Sequence, residues 1–415
     1  MIARSVSVAL VLASVVSAGC TNDQDMLDAS TTLVDTITTT SIASGETTTV
    51  ENPVVTRALP PLTANQGWRR LDGGPLAGRI WHSTAWTGRE LIIWGGVVPT
   101  TGSPYDDGAL FDTSEGEWRL MPPSPLEGRV GHTAVWTGSE VIIWGGHGGG
   151  VGGKPTRRFA DGAAFEPATD SWRAIATPDL EGGPGYASVW TGHEMIVLGG
   201  NDGNQSFAEN GLNEAAAYDP STEIWRLLEM PIDLAVVDAL WTGTEVVMFG
   251  VERYLGRLIG AAYDPATDVW RHFPAAPVHP AVPDIDRVGD QVLAWSYDPE
   301  VDGVAAFDTL TLEWRLLPPL PGRPTEGVPN SAAVGPSEVL MQSETVMAIY
   351  SEDSNEWRLI DTPAVDIGPF TVPPIWTGTD VLFFYAGIPP GDPNAPDGIS
   401  AQFWAYDLNT HGLGN

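Results

Sequence analysis

The sequence predicts an all-β protein assembled from repeated four-stranded antiparallel units, and three observations carry that prediction. Trp-Arg recurs at 68–69, 118–119, 172–173, 225–226, 270–271, 314–315 and 357–358. An aromatic residue stands seven positions before each of the last six tryptophans: Phe111, Phe165, Tyr218, Tyr263, Phe307 and Tyr350. Glycine (47) and proline (35) are abundant, and no long stretch spaces apolar residues at helical period, which favours short strands joined by turns.

In chain order, the first element is a leader. After Arg4, residues 6–16 form an apolar run broken only by Ser7 and Ser14. It is too short to span a bilayer and has the length of a signal-peptide core. It ends in Val16-Ser17-Ala18-Gly19-Cys20, which resembles a bacterial lipobox, where the cysteine is acylated and becomes the new N-terminus. Ser17 stands where leucine is usual, and Val16-Ser17-Ala18 also suits ordinary signal peptidase with cleavage after Ala18. The expected address is the bacterial cell envelope, membrane-anchored on the extracytoplasmic side through Cys20, or secreted if Cys20 is not lipidated. Residues 21–60 are rich in Thr and Ser, with no aromatic residue to offset the entropy of ordering, and are expected to be a disordered tether.

From residue 61 onward the repeat takes over. The distance from aromatic to tryptophan never changes, although the tryptophans lie 43 to 54 residues apart. A fixed offset inside a variable period means a rigid hairpin, with length differences confined to loops. Ala261-Ala262-Tyr263-Asp264 reads as a strand, Pro265-Ala266-Thr267-Asp268 as a turn, and Trp270-Arg271 opens the next strand. An earlier hairpin recurs in each unit and turns on Trp-Thr-Gly in five of them, at 86–88, 136–138, 190–192, 241–243 and 376–378, with Gly289 and Gly335 in the corresponding place of the other two. Paired glycines end the second strand at 95–96, 145–146 and 199–200, where chains approach closely. Such a double glycine with a later aromatic and tryptophan resembles the kelch family of β-propellers, the fold of the central domain of galactose oxidase-like enzymes.

Counting the units gives seven blades. Six end at tryptophans 118 to 357, and a seventh starts near Pro373 and reaches Phe403-Trp404-Ala405-Tyr406-Asp407. Leu413 stands where its tryptophan should be, so that blade lacks a fourth strand. Trp68-Arg69-Arg70-Leu71 is a fourth strand without the first three. The two fragments complete each other, so residues 61–415 are expected to form a seven-bladed β-propeller closed by an N-terminal strand that completes the last blade. The repeated Trp-Arg pairs are expected to serve packing between blades, since residues present in every blade usually serve the blade.

The formal net charge is −33, with 53 acidic and 20 basic residues. Such a surface repels phosphates, so no nucleic-acid partner is expected. A lone cysteine excludes an internal disulfide framework and a multi-thiolate metal site. Residues 148–154 spell Gly, four residues, Gly-Lys, but Pro155 replaces the required Ser or Thr. Asn201-Asp202-Gly203-Asn204 lacks the twelfth-position glutamate of a calcium loop and reads better as a turn. No cofactor, metal site or catalytic residue is expected, and the propeller is expected to be a monomer.

The second-to-third strand loops are long in units 1, 2, 3 and 7 (97–107, 147–161, 201–214 and 387–400). These units are consecutive around the closed ring, so one side of this face is expected to carry a raised wall. Two matching segments lead into blades beside it: Gly78-Arg79-Ile80-Trp81-His82 and Gly128-Arg129-Val130-Gly131-His132, with Tyr186 in the histidine's place in blade 3. Arg79, His82, Arg129, His132 and Tyr186, with Tyr105 and His147 on the long loops, are the candidate ligand-binding set. Two arginines and two histidines there suit a carboxylate or sugar acid; equally, they suit local pairing within the blades. The kelch resemblance admits partner-binding domains, galactose oxidase-like enzymes and sialic-acid epimerases. Copper oxidase chemistry of that group needs a cysteine-linked tyrosine, which a mature chain without a cysteine beyond Cys20 does not offer. The favoured reading is a cell-envelope lipoprotein binding a protein or glycan partner through the long-loop face over blades 7, 1, 2 and 3. An enzyme acting on an acidic sugar, epimerase- or lyase-like, and a purely structural envelope component are the alternatives.

Overall fold

The structure is a computed structural model that describes residues 67–99, 101–149, 157–201, 211–252, 257–278, 285–288, 291–295, 303–320, 330–342, 346–360, 374–387 and 400–408. The leader and tether expectations lie outside these residues. The described residues form seven four-stranded antiparallel sheets and one additional two-stranded ribbon, with no α-helix among them.

Blade 1 comprises Ser83–Trp86, Glu90–Trp94, Gly108–Asp112 and Glu117–Leu120. Blade 2 comprises Thr133–Trp136, Val141–Trp144, Gly162–Glu166 and Ser171–Ala174. Blade 3 comprises Tyr186–Trp190, Met195–Asn201, Gly211–Asp219 and Ile224–Leu227. Blades 4 to 6 occupy 234–272, 285–316 and 330–360 with the same order. Blade 7 takes Ile375–Trp376, Asp380–Gly387 and Ser400–Asp407 from the end of the chain and Trp68–Leu71 from its beginning. The closing register sets Trp68 opposite Tyr406 and Leu71 opposite Phe403.

The seven-residue offset has a direct structural meaning. Each aromatic sits opposite its tryptophan across the third and fourth strands, as Phe111 does with Trp118 and Tyr350 with Trp357. In the six complete blades the ring centroids lie 4.8 to 5.1 Å apart. Trp68 and Tyr406 repeat the pair at 4.8 Å across the closure, so the first strand supplies the missing tryptophan. The turn between these strands places residues such as Asp170, Glu223, Asp268 and Asn355 at positive φ, where blade 1 uses Gly116.

The tryptophans also hold neighbouring blades together. The indole N–H of Trp118 donates to the Asp72 carbonyl at 2.9 Å, Trp172 to Pro122 at 3.1 Å and Trp314 to Pro274 at 2.9 Å, each acceptor lying in the connection that leaves the preceding blade. The arginine that follows points to the other face of its strand and pairs both within its own blade and with the next, as Arg119 does with Asp170 at 2.7 Å and Arg226 with the Tyr263 hydroxyl at 3.0 Å. Arg119 meets Glu90, Arg173 meets Glu140, Arg226 meets Glu194 and Arg271 meets Glu245. Arg69 does the same with Asp380 across the closure at 2.8 Å. Apolar clusters fill the space between successive blades, as where Ala85, Trp94 and Leu110 of blade 1 pack with Val141, Ile143 and Phe165 of blade 2.

Candidate functional site: the rim over blades 1 to 3

The connections entering the innermost strands and the loops leaving the second strands meet on one face. In blade 1 Ile80 bridges Val97, and Val97 bridges Pro104, so the entering segment and the long loop form a small ladder. Blade 2 repeats the device, with Val130 bridging His147 and His147–Gly148 pairing with Arg157–Arg158 in the additional ribbon. Adjacent blades are stitched together by backbone: Gly96 N–H donates to Arg129 carbonyl at 3.0 Å, and Gly146 N–H to Gly183 carbonyl at 2.8 Å. Only glycine allows this approach. A Cβ on Gly96 would lie 2.7 Å from the Ile80 carbonyl oxygen, and one on Gly200 would meet the Tyr186 ring at 2.2 Å. The described part of the raised rim thus covers blades 1 and 2 and reaches blade 3. The middle of the blade 2 loop, 150–156, and the remainder expected over blades 3 and 7, in 202–210 and 388–399, lie outside the described residues.

Both candidate arginines are fully buried under this rim. Arg79 donates through Nη1 to the Asp107 carboxylate at 2.8 Å and the Gly95 carbonyl at 3.1 Å, and through Nε to the Ala77 carbonyl at 3.1 Å. Its guanidinium lies over the Tyr105 ring, 4.2 Å from the centroid. Arg129 repeats each contact: the Asp161 carboxylate at 2.9 Å, the Gly145 carbonyl at 3.0 Å, the Glu127 carbonyl at 3.1 Å and the Phe159 ring at 4.3 Å. Burial, with a smaller contribution from the Arg157 charge, lowers the pKa of Arg129, and the Asp161 and Glu127 carboxylates oppose that loss. Each arginine therefore fastens a long loop to the segment entering its own blade, and Tyr105 is one wall of that clamp.

His82, His132 and Tyr186 occupy one register position in three successive blades, and each stacks edge-on against an aromatic of the blade before. His82 meets Phe384 at 5.3 Å, His132 meets Trp94 at 5.1 Å and Tyr186 meets Trp144 at 4.9 Å. Burial, reinforced by the nearby Arg79 charge, lowers the His82 pKa to about 3. Burial, with Arg129 and then His82, lowers that of His132 to about 3. Both rings are neutral at pH 7. His132 Nε2 shares a hydrogen bond of 2.8 Å with Ser83 Oγ, whereas neither ring nitrogen of His82 has a hydrogen-bond partner among the described residues. The Tyr186 hydroxyl donates to the Glu214 carboxylate, and burial followed by that carboxylate raises the phenol pKa. His147 Nδ1 donates to the Gly148 carbonyl at 3.0 Å, and burial lowers its pKa.

The structure brings the predicted residues to one face, but most of their polar atoms contact the protein itself. Two participants escaped the sequence reading, Asp107 and Asp161. Each lies four residues before the third-strand aromatic (Phe111, Phe165), and Glu214 holds that position before Tyr218 in blade 3. That fixed offset was available as a signal. Trp81 was the other omission: it is half-exposed beside Arg79 and His82. Among the described residues no group of three or more His, Cys, Asp or Glu is placed to hold a metal ion.

Residues 62–250 match the family described as the KLHDC2/KLHL20/DRC7 Kelch-repeats domain. Among solved structures the chain is similar to one titled "Structure of YjhT", at 14% identity and a TM-score of 0.49, covering 70% of this chain and 99% of that one. No curated protein matches the chain in sequence. The strand register of the matched blades continues through Asp407 and closes on Trp68, so this protein is a seven-bladed β-propeller whose residues 62–250 are similar to kelch repeats.

Proposed function

We propose that this propeller is an extracytoplasmic protein, held at the bacterial envelope by a lipid on Cys20, that binds a partner on the raised rim over blades 7, 1, 2 and 3. The observation that carries the reading is the construction of the rim over blades 1 and 2. The described parts of two long loops are bridged to the entering segments and clamped by fully buried arginines, where a scaffold needs only a short turn. A loop held this rigidly presents a defined surface at low entropic cost on binding.

The chemistry of the rim favours a binder over an enzyme acting on acidic sugars. The arginines suited to gripping a carboxylate are already paired with Asp107 and Asp161. The histidines suited to proton transfer have pKa values far below the neutral range in which a general base works best. The reading is tested by pull-down from envelope extract with the full chain and with a variant whose 97–107 loop is replaced by a short turn. A partner captured by the first and lost by the second supports it; equal capture by both assigns binding to another surface. Metabolic labelling with an alkyne fatty acid tests the anchor, because Cys20→Ala must abolish the label.

A further inference from the structure

Trp81 has a backbone that tryptophan disfavours. Its φ is +56°, in the left-handed region where a bulky side chain is strained, whereas the equivalent positions of blades 2 and 3 are Gly131 at +66° and Gly185 at +74°. Two of three matching segments thus use the residue that fits, and blade 1 carries the largest side chain instead. The indole is not retained for packing. It is 47% exposed and takes part in no hydrogen bond or ring stack among the described residues.

Its position separates it from every other exposed large apolar side chain described. The remaining seven, such as Leu120, Leu227 and Leu316, lie on fourth strands or on the turn that precedes them. Trp81 alone stands at the inner rim, next to the Ile80–Val97–Pro104 ladder. Strain in a folded protein persists where the surroundings impose it, and it concentrates at sites of ligand contact.

The charges around it select the ligand class. Among the described residues, each cation of the rim has a carboxylate partner: Arg79 with Asp107, Arg129 with Asp161, Arg157 with Glu127 and Arg158 with Glu181. Asp106, exposed on the same loop, forms no ion pair among the described residues and adds negative charge to a protein of net charge −33. A flat aromatic face on a strongly acidic protein attracts a cation through the ring quadrupole and repels an acid. We propose that Trp81 is a recognition platform on which the rim stacks a guanidinium or ammonium group from a basic segment of a partner protein. This proposal rests on the reading of the raised rim as the binding face.

The test compares the full chain with Trp81→Gly, Trp81→Phe and Asp106→Arg. The probe is a fluorescein-labelled hexa-arginine peptide followed by polarisation at 150 mM salt, with uncharged maltohexaose as a second probe. Trp81→Gly leaves the protein's charge unaltered, so non-specific attraction cancels in that comparison. The expected result is a loss of roughly tenfold in peptide affinity for Trp81→Gly and a smaller loss for Trp81→Phe. The Tm of Trp81→Gly should equal the wild-type value or rise by about 1–2 °C as strain is relieved. No peptide binding by the wild type, wild-type affinity in Trp81→Gly, or a Tm more than about 3 °C lower would overturn the platform. Loss of maltohexaose binding in place of peptide binding would assign it to a neutral sugar and overturn the ligand class. If Trp81→Gly binds normally while Asp106→Arg does not, the rim reading stands and the platform falls; if both bind normally, both fall.

Discussion

Replacing Arg129 with methionine keeps an unbranched side chain in the clamp and deletes the guanidinium. The structure assigns that group four hydrogen bonds: to the Glu127, Gly145 and Asp161 carbonyls and to the Asp161 carboxylate. The charge left behind is not the main cost, because the Asp161 side chain is 49% exposed and water can solvate it. The larger loss is at the Gly145 carbonyl, whose bond with Arg129 is buried, and at the Phe159 ring. An unsatisfied buried acceptor costs about 1–3 kcal/mol and a cation–π contact is worth about 0.5–2 kcal/mol. Removing a buried charge offsets part of this, so a net loss of about 2–3 kcal/mol is expected. A propeller of roughly 350 residues has an unfolding entropy near 0.7 kcal/mol/K, which converts that loss into a Tm decrease of about 3–4 °C. Calorimetry measures the shift. Amide exchange should localise it, with faster exchange at Phe159 and Gly146, whose N–H groups bond to the Gly146 and Gly183 carbonyls. A Tm within 1 °C of wild type and unchanged exchange would refute the clamp and return Arg129 to the pool of ligand-binding candidates.

Three further outcomes follow from the same structure. Deleting Trp68–Leu71 removes two buried side chains and bares the edge of Ser400–Asp407, so Tm should fall by about 7 °C or more, and a wild-type Tm would disprove the closure. His82 and His132 have folded pKa values near 3, below the ordinary 6.5, so the unfolded chain takes up protons first as pH falls. Their contribution is complete above about pH 6.5 and is lost as pH falls toward 3. His82→Phe should therefore reduce the pH slope of stability between pH 6 and 4 by about 1.4 kcal/mol per unit, read from urea titrations, and an unaltered slope would contradict its neutrality. Gln342 is fully buried with no hydrogen bond to either amide atom among the described residues, at the second-strand position held by Trp94, Trp144 and Phe384 in other blades, so Gln342→Leu should stabilise the protein by about 1 kcal/mol, visible as a raised urea midpoint.

The fold was legible because its determinants are local. A constant seven-residue spacing from aromatic to tryptophan is the arithmetic of one hairpin, and a hairpin's register depends only on its own strands and turn. The closure was legible for the same reason, since Trp68 with Arg69 matched the pattern that the end of the chain left incomplete. The rim was readable only in part. Arg79 and Arg129 were placed on the correct face, but their burial depends on loops folding back over them, and loop lengths do not reveal that path. Their partners Asp107 and Asp161 sit at a fixed offset from Phe111 and Phe165, although nothing local says that an aspartate there reaches back to an arginine some thirty residues earlier. Trp81 was visible in the aligned segments as the residue standing where Gly131 stands. Its significance required the backbone angle.

The pairing of Trp68–Leu71 with Ser400–Asp407 also makes completion of the ring depend on synthesis of a strand more than 300 residues later. The first strand leaves the ribosome about 340 residues before its partner, an interval of roughly 20 to 70 s at ordinary rates of synthesis. Throughout that time at least two sheet edges are open, and any chain ending before Phe403 keeps them open. Only a chain that includes Ser400–Asp407 hides both. The fold thereby carries its own test of integrity: a copy cut short of Ser400–Asp407 presents unpaired backbone to proteases and chaperones, and one that includes this strand does not.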